Sequence, residues 1–354
     1  MSNVENFIQA EKGAFKNNSV ILSVVIPSYN SAKMLLRCIK ALENQTTKKS
    51  FFEIAVADDG SNDETVEMLK NFKAKSELKL QWTTIKNSGP ATARNIGVSI
   101  SSGKWIGFLD ADVIPHPDWV ENALELIRNN PNAGAFEGRT EVTQRVQATP
   151  FTHQTENTEG GRYLTCNLIV RKNLAHFHQA YKIPFREDTD LAFSILESGF
   201  KIIFSSKLTV QHPPLESSYS RPFILARRYY YDGLLARRFP TRYSNELDVH
   251  EILGLRIPHL KKKLYTIFML SQIIFLTGIL KGFSGSEMLL SVIFYLLMLV
   301  FIALGGIRYS KLNELPIKDF LIYIFQLQLI PWIMSYSLFR GWLDFRHENK
   351  FSAI

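Results

Sequence analysis

Gly103-Lys104-Trp105-Ile106-Gly107-Phe108-Leu109-Asp110-Ala111-Asp112 is the stretch on which the reading of the fold turns. A short apolar run of this kind, closed by polar residues, reads as a buried strand that delivers two carboxylates to its carboxyl end. Burying unpaired charge costs several kcal/mol or more, so Asp110 and Asp112 need a partner. A divalent cation is the natural one. Hard oxygen ligands suit Mg²⁺ or Mn²⁺, and a cation held by one or two carboxylates completes its shell with water and substrate phosphates. The stretch thus points toward nucleotide diphosphate chemistry. Taken alone, an Asp-x-Asp after a strand is commonly a turn or a helix cap, so its neighbours decide.

Working back from it, Val20 to Pro27 is a short β-branched run, and residues Ser31 to Asn44 follow with helical spacing at Met34, Leu35, Ile39 and Leu42. Phe51 to Ala57 reads as a second strand. Its end, Asp58-Asp59-Gly60-Ser61-Asn62-Asp63, can cap a helix starting near Glu64. Leu78 to Ile85 reads as a third strand and Pro90 to Ile100 as the next helix. Lys104 to Leu109 is then the fourth strand, with Pro117 to Arg128 helical after it. Strands alternating with helices imply an α/β fold with a mostly parallel central sheet covered on both faces. Ligands of such sheets sit outside the carboxyl ends of the strands, where Tyr29, Asn30, Asp58, Asp59, Asn87, Asp110 and Asp112 all fall. No Gly-x-Gly-x-x-Gly follows the first strand and no Walker-type loop is present, which argues against dinucleotide dehydrogenases and P-loop enzymes.

Beyond Pro131 the alternation breaks down. Ala133 to Thr143 and Leu164 to Val170 read as strands, with a Gly-containing loop from Glu156 to Tyr163 between them. Glu187 to Ser198 is helical, closed by Gly199 ahead of a strand at Lys201 to Phe204. Long polar loops in this half are where an acceptor pocket is expected.

The formal net charge of +8 is unevenly placed. Between Arg221 and Lys263 there are ten Lys or Arg against four Asp or Glu. Three apolar stretches follow: Leu264 to Leu280, Met288 to Ile307, and Phe320 to Phe339, the last interrupted by Gln326, Gln328 and Pro331. A membrane span needs ~20 mostly apolar residues, so a C-terminal α-helical membrane region with two or three spans is expected. The basic segment ahead of it fits anionic membrane lipids and not nucleic acid. Within it, Phe223 to Phe239 suits an amphipathic interfacial helix, with Arg227, Arg228, Arg237 and Arg238 among apolar residues; a basic helix packed on its own domain is the other reading.

Cys38 and Cys166 lie far apart with no Cys-x-x-Cys spacing, so neither a disulfide framework nor a zinc site is indicated. Residues 1–19 lack the apolar core of a signal peptide. The expected organisation is a polar extension over 1–19, the α/β domain over 20–215, a basic interfacial segment over 216–263 and the membrane region over 264–354. The site is expected on the cytoplasmic face of the inner membrane in a multi-pass protein. Lys261 to Lys263 then lie inside, Lys281 to Glu287 outside, and Arg308, Lys311 and Lys318 inside again. A third crossing would leave Arg340, Arg346 and Lys350 outside, against the positive-inside tendency; an interfacial or re-entrant segment around Pro331 resolves the conflict.

Five blocks in order now carry a resemblance: Ser23 to Asn30, Asp58 to Thr65, Asn87 to Gly97, Phe108 to Asp112 and Arg186 to Leu191. Together they resemble glycosyltransferase family 2 of membrane-anchored bacterial type, with the GT-A fold, over about residues 20 to 215. The resemblance implies transfer of a sugar from a nucleotide diphosphate donor to a hydroxyl, with inversion at the anomeric carbon and Mn²⁺ or Mg²⁺ as cofactor. It implies that Pro27, Tyr29, Asn30, Asp58, Asp59 and Asn87 hold the nucleotide, with Arg94 near the donor phosphates and Glu187 beside the donor. It assigns the metal to Asp110, Asp112 and His212, and the catalytic base to Asp188. Competing readings stand beside these: helix capping for Asp58 or Asp59, a solvated helix charge for Arg94, a purely structural Glu187 and a satisfied polar residue for His212. No Gln-x-x-Arg-Trp is present, so polymer extrusion is not expected. The acceptor is expected to be a lipid-linked or cell-surface glycan. A polyprenyl phosphate acceptor and a non-catalytic membrane scaffold are the rival functions.

Overall fold

Strand β1 (Leu22–Ser28) sits between two parallel neighbours, β2 (Phe52–Asp58) and β4 (Trp105–Leu109), in a computed structural model that describes residues 20–147, 149–252, 254–307 and 316–352. Its residues from Leu22 to Ile26 are buried, as a strand covered on both faces requires. Helix α1 (Ala32–Glu43) connects β1 to β2, and α2 (Thr65–Lys73) connects β2 to β3 (Leu80–Thr84). Helix α3 (Pro90–Ile100), which starts on Pro90, returns to β4. After β4 come β5 (Ile114–Pro115), α4 (Trp119–Asn129), β6 (Ala133–Val142), β7 (Asn167–Arg171), α5 (Glu187–Glu197) and β8 (Lys201–His212).

These strands form one eight-stranded sheet in the order β3-β2-β1-β4-β7-β6-β8-β5. Pairing is parallel through β4 and between β6 and β8, and antiparallel at β4–β7, β7–β6 and β8–β5. This is the mostly parallel GT-A arrangement that the resemblance implies. Trp105, Trp119 and Phe136 fill its core. Two buried polar residues knit the antiparallel half. Asn167 accepts the Trp119 Nε1–H at 2.9 Å and donates to the carbonyls of Arg139 and Leu208 at 2.9 and 2.8 Å. Arg171 donates to the carbonyls of Ala133 and Pro131 and stacks on Trp105.

Two elements depart from the sequence reading. Strand β8 runs to His212, well past Phe204, because Ser206, Lys207 and Leu208 form a bulge between the pairs of Ser205 with Gly138 and Thr209 with Arg139, where Ser206 and Lys207 reach solvent. The two-residue β5 is hidden in sequence by Pro115, which edge pairing tolerates. Because β5 follows Asp112 by one residue and pairs with β8, it draws the end of β8 toward the Asp-x-Asp.

A second compact unit comprises residues 146–153 and 215–351. It contains α6 (Arg221–Arg228), α7 (Asp232–Arg238), α8 (Pro240–Asn245), a hairpin of β9 (Val249–Ile252) and β10 (Leu255–Pro258), then α9 (Leu260–Lys281), α10 (Gly285–Ile307), α11 (Ile317–Leu327) and α12 (Ile330–Asp344). The stretch read as one helix from Phe223 to Phe239 is broken by a 3₁₀ turn at Tyr229–Tyr231. There the Tyr230 carbonyl packs so closely on Gly341 of α12 that any Cβ at that glycine would collide with it. Lys262, in the basic run expected to meet anionic lipid, is buried between Asp232 and Asp248.

Helices α9 and α10 are long and apolar enough to cross a membrane, and α11 with α12 forms a pair bent by 44° that meets the same test jointly. Leu280, Leu290 and Leu297 stand 86 %, 67 % and 64 % exposed. Large apolar side chains left this bare call for a non-aqueous neighbour. Gln272 of α9, Tyr295 of α10, and Gln328 and Trp332 at the bend join in one hydrogen-bonded set at 2.7 to 3.0 Å, so these four polar side chains find partners among the apolar helices. Residues 1–19, expected as a polar extension, and Arg308 and Lys311, expected on the inner side, lie outside the described residues.

Candidate functional site

Parallel strands deliver their ends to one edge, and the loops after β1, β2 and β3 meet there. Asn30 turns with φ +48°, its N–H donates to Ser61 Oγ at 2.8 Å, and its Oδ1 accepts the Asn62 N–H at 2.8 Å. Tyr29 beside it is half exposed, and Pro27 is partly buried within β1. Asp58 is fully buried; one oxygen accepts both the N–H and the hydroxyl of Ser61, and the other has no hydrogen-bond partner. Asp59 accepts the N–H groups of Ser88 and Gly89 at 2.7 and 2.9 Å. Neither acid caps α2. Asp63 does that work, accepting from Thr65 and from the Ala32 N–H. Asn87 is exposed, next to Gly60. The cleft edge therefore holds an aromatic rim at Tyr29 and one unsatisfied buried carboxylate oxygen, on Asp58.

Arg94 is the hinge of the next part. It is 3 % exposed and so not a solvated helix charge. It donates from Nη2 to Asp110 at 2.9 Å and from Nη1 to Glu187 at 3.2 Å, and lies over the Phe177 ring. Asn95 fixes that ring through two 2.8 Å bonds with the Phe177 backbone. Burial pulls the guanidinium pKa down, but Asp110 and Glu187 outweigh it and hold it above its ordinary value. One buried cation thus ties the Asp-x-Asp to the Glu187-Asp188 pair, 93 residues away in sequence for Glu187.

Asp112 is pushed up by burial and then by Asp110, with His212 opposing. His212 is 6 % exposed, and its Nδ1 donates to the Pro213 carbonyl at 2.7 Å. A carbonyl only accepts, so Nδ1 carries a proton, and in the neutral imidazole Nε2 presents the lone pair. That atom lies 3.8 Å from Asp112 Oδ1, too far for a hydrogen bond. Donor atoms of Asp110, Cys166 and His212 lie within 4.8 Å of one another. Two carboxylates that repel each other, beside a lone pair locked toward them, fit a divalent cation. Cys166 was not foreseen, because only the antiparallel pairing of β4 with β7, which sets Leu109 opposite Asn167, brings it beside Asp110. Its buried thiol is pushed well above its ordinary range, by burial first and then by Asp110.

Helix α5 begins after Arg186, held at φ +72°, which aims Glu187 and Asp188 back toward Arg94. Asp188 is partly buried and accepts the Thr189 N–H at 2.7 Å; burial raises its pKa. Asp190 is buried against the Tyr181 hydroxyl at 3.1 Å. Glu187, 4 % exposed, is pushed up to about 7 by burial and by Asp188, against the pull of Arg94, and its second oxygen has no hydrogen-bond partner. Its ordinary value is 4.5, so across pH 4.5 to 7 the folded chain holds more protons at this group than the unfolded chain, and stability falls as pH rises. Glu187→Gln is therefore expected to lose less thermal stability between pH 5 and pH 8 than the wild type. An equal loss in the two proteins would contradict the assignment.

The loop expected over Glu156 to Tyr163 is anchored by Glu137, a buried residue with no sequence signal. Its carboxylate accepts from Asn157 and from the N–H groups of Gly161, Arg162 and Tyr163.

Comparison with known proteins adds an independent line. Glycosyltransferase AglE of Haloferax volcanii is 37 % identical over 217 residues, which is 57 % of this chain and 68 % of that protein. A validoxylamine A glucosyltransferase of Streptomyces hygroscopicus is 36 % identical over 104 residues, covering 29 % of this chain and 25 % of that one. The chondroitin synthase of Escherichia coli is 35 % identical over 110 residues, covering 31 % and 16 %. This chain thus spans a quarter or less of the latter two. The crystal structure of S. aureus TarS 1-349 superposes with a TM-score of 0.45 at 16 % identity, over 94 % of this chain and 93 % of that one. The family model Glycosyl transferase family 2 matches residues 23–190, which takes in the first four sequence blocks and the fifth as far as Asp190, and with AglE it establishes that the chain belongs to glycosyltransferase family 2.

Proposed function

We propose that this family 2 enzyme is metal-dependent and inverting, and that it moves a sugar from a nucleotide diphosphate donor to a hydroxyl of a lipid-linked or cell-surface glycan at the cytoplasmic membrane face. The observation that carries the reading is Arg94, which holds Asp110 and Glu187 together and so sets Asp188 beside the carboxylate pair. In this reading Asp58, with its open oxygen, and Tyr29 receive the nucleotide, alongside Pro27, Asn30, Asp59 and Asn87. Asp110, Asp112 and His212 hold Mn²⁺ or Mg²⁺. When bound, the ion offsets the charge that develops on the departing diphosphate.

Asp188 takes the proton of the acceptor hydroxyl as its oxygen bonds to the anomeric carbon, and the bond from that carbon to the diphosphate oxygen breaks. A carboxylate whose pKa is raised is a stronger base than a free aspartate, which suits the role. Arg94, paired through Nη1 and Nη2 with Glu187 and Asp110, keeps the acids in place during the reaction. The exposed leucines of α9 and α10 support membrane insertion, and the basic segment over 216–263 supports an inner surface. The α/β domain then spans about 20–215 and the membrane region 264–354.

Incubating the purified full chain with a panel of sugar nucleotides and Mn²⁺ or Mg²⁺, followed by mass spectrometry, tests the proposal. Release of nucleoside diphosphate from one donor is the expected result. No hydrolysis or transfer with any common donor would overturn it.

A further inference from the structure

We propose that Arg221, Arg228 and His153 form a binding site for the diphosphate group of a lipid-borne ligand, at the end of the two candidate spans where α9 begins. The transferase reading enters only in making that ligand the lipid-linked acceptor.

Short steps along the chain bring these residues together. The N–H groups of Leu215 and Ser218 donate to the carbonyls of His153 and Phe151 at 3.0 Å each, so the two segments lie side by side just ahead of α6. Tyr219 then fixes the start of that helix: its hydroxyl donates to Asp319 at 2.7 Å and its carbonyl accepts from Gln326 Nε2 at 2.8 Å, both on α11. Further along α6, buried Ala226 joins one apolar cluster with Tyr265 and Phe268, early in α9, and with Ile302 and Ala303, late in α10. Helix α6 is thereby held at one end of the candidate spans. Lys261, over the Tyr265 ring at 5.5 Å, marks the same end.

Much of the basic segment is neutralised internally, Lys262 by Asp232 and Asp248 and Arg242 by Glu246. Arg221 is different. It is partly buried, and among the described residues no carboxylate pairs with it; its Nη2 donates to Nδ1 of His153. A guanidinium only donates, so the imidazole accepts as a neutral ring and brings no negative charge. Burial first, and then Arg228, pull the Arg221 pKa below its ordinary value. Arg228 lies seven residues on, about two turns along the same helix face. Two guanidinium groups that repel each other in partly buried surroundings gain from an anion between them, and their planar forks match phosphate oxygens. Between them on that face Ile224 is exposed. An apolar side chain there gains from a lipid chain and not from a free anion, which favours a diphosphate carried on lipid.

Farnesyl diphosphate is the probe. The full-length protein in phosphatidylcholine nanodiscs is titrated calorimetrically in chelator, without nucleotide, against empty nanodiscs. Saturable binding is expected, weakened about tenfold or more in Arg221→Gln, the scale of one charge-assisted hydrogen bond. Arg346→Gln, which removes an exposed cation of the same unit, should leave it unchanged. Arg221→Lys should recover part of the affinity, which tells loss of charge from loss of fold. Equal affinity in wild type and Arg221→Gln would overturn the site. Equal binding of farnesol would overturn the role of the phosphates, and equal binding of inorganic diphosphate the role of the lipid. Loss of farnesyl diphosphate binding in phosphatidylglycerol nanodiscs would assign the arginines to bulk headgroups instead. Because the titration uses neither metal nor sugar donor, its failure leaves the transferase reading standing, and failure of the donor panel leaves this site standing.

Discussion

Replacing Asp112 with alanine lowers the transfer rate roughly 10²–10³-fold, the scale of losing one preorganised electrostatic contact to a departing group. The fold survives, because Asp112 makes no hydrogen bond that the sheet depends on and sits 3.8 Å from His212. Asp110→Ala produces a comparable kinetic loss with an added structural one. It strips a partner from the buried Arg94, leaving Glu187 alone to offset that charge. Breaking a fully buried ion pair on one side costs about 3–5 kcal/mol; Asp110 is a third exposed, so the loss is a fraction of that, and the Asp110 variant should melt below the Asp112 variant at equal activity loss. The check is a steady-state assay across Mn²⁺ concentration beside thermal melts of both proteins. Unchanged turnover in either variant, or turnover that survives a chelator, contradicts the role given to the pair.

The second large effect is expected at Asp188. Asp188→Asn preserves shape and the hydrogen bond from the Thr189 N–H while removing the proton acceptor, so kcat should fall about 10²–10⁴-fold, the usual contribution of a general base. Donor affinity should stay within a few-fold, because the loss is in the chemical step. A phosphate acceptor is already anionic and needs little base, so a polyprenyl-phosphate transferase would tolerate the change. A non-catalytic scaffold would show no turnover to lose. Measuring kcat and donor affinity in the asparagine variant therefore separates the three readings.

How much of this was legible in the chain follows from how local each signal is. The parallel half was readable because each strand, turn and helix lies within about thirty residues of the next, and apolar periodicity marks them. Asp110 and Asp112 stood out for the same reason. The antiparallel half was harder, since β7 pairs with β4 across a long interval and Pro115 hides β5. In sequence Cys166 therefore stands as an isolated thiol. Arg94 was legible as a motif residue, but its burial between two carboxylates depends on α5, far away in sequence. Lys262 shows the opposite failure. Within a basic run it looked like surface charge, yet Asp232 and Asp248 close over it. The stretch from Phe223 to Phe239 is interrupted at Tyr229–Tyr231, where the backbone lies tight against Gly341, a long-range contact that periodicity does not carry.

Calorimetry tests most directly whether the acidic pair grips a cation on behalf of a diphosphate. The full-length protein is titrated with UDP, GDP and dTDP in Mn²⁺ and again in chelator. Binding of one nucleotide that appears only with Mn²⁺, and disappears in the Asp110→Ala and Asp112→Ala proteins, is the predicted result. Equal affinity with and without the cation would contradict it.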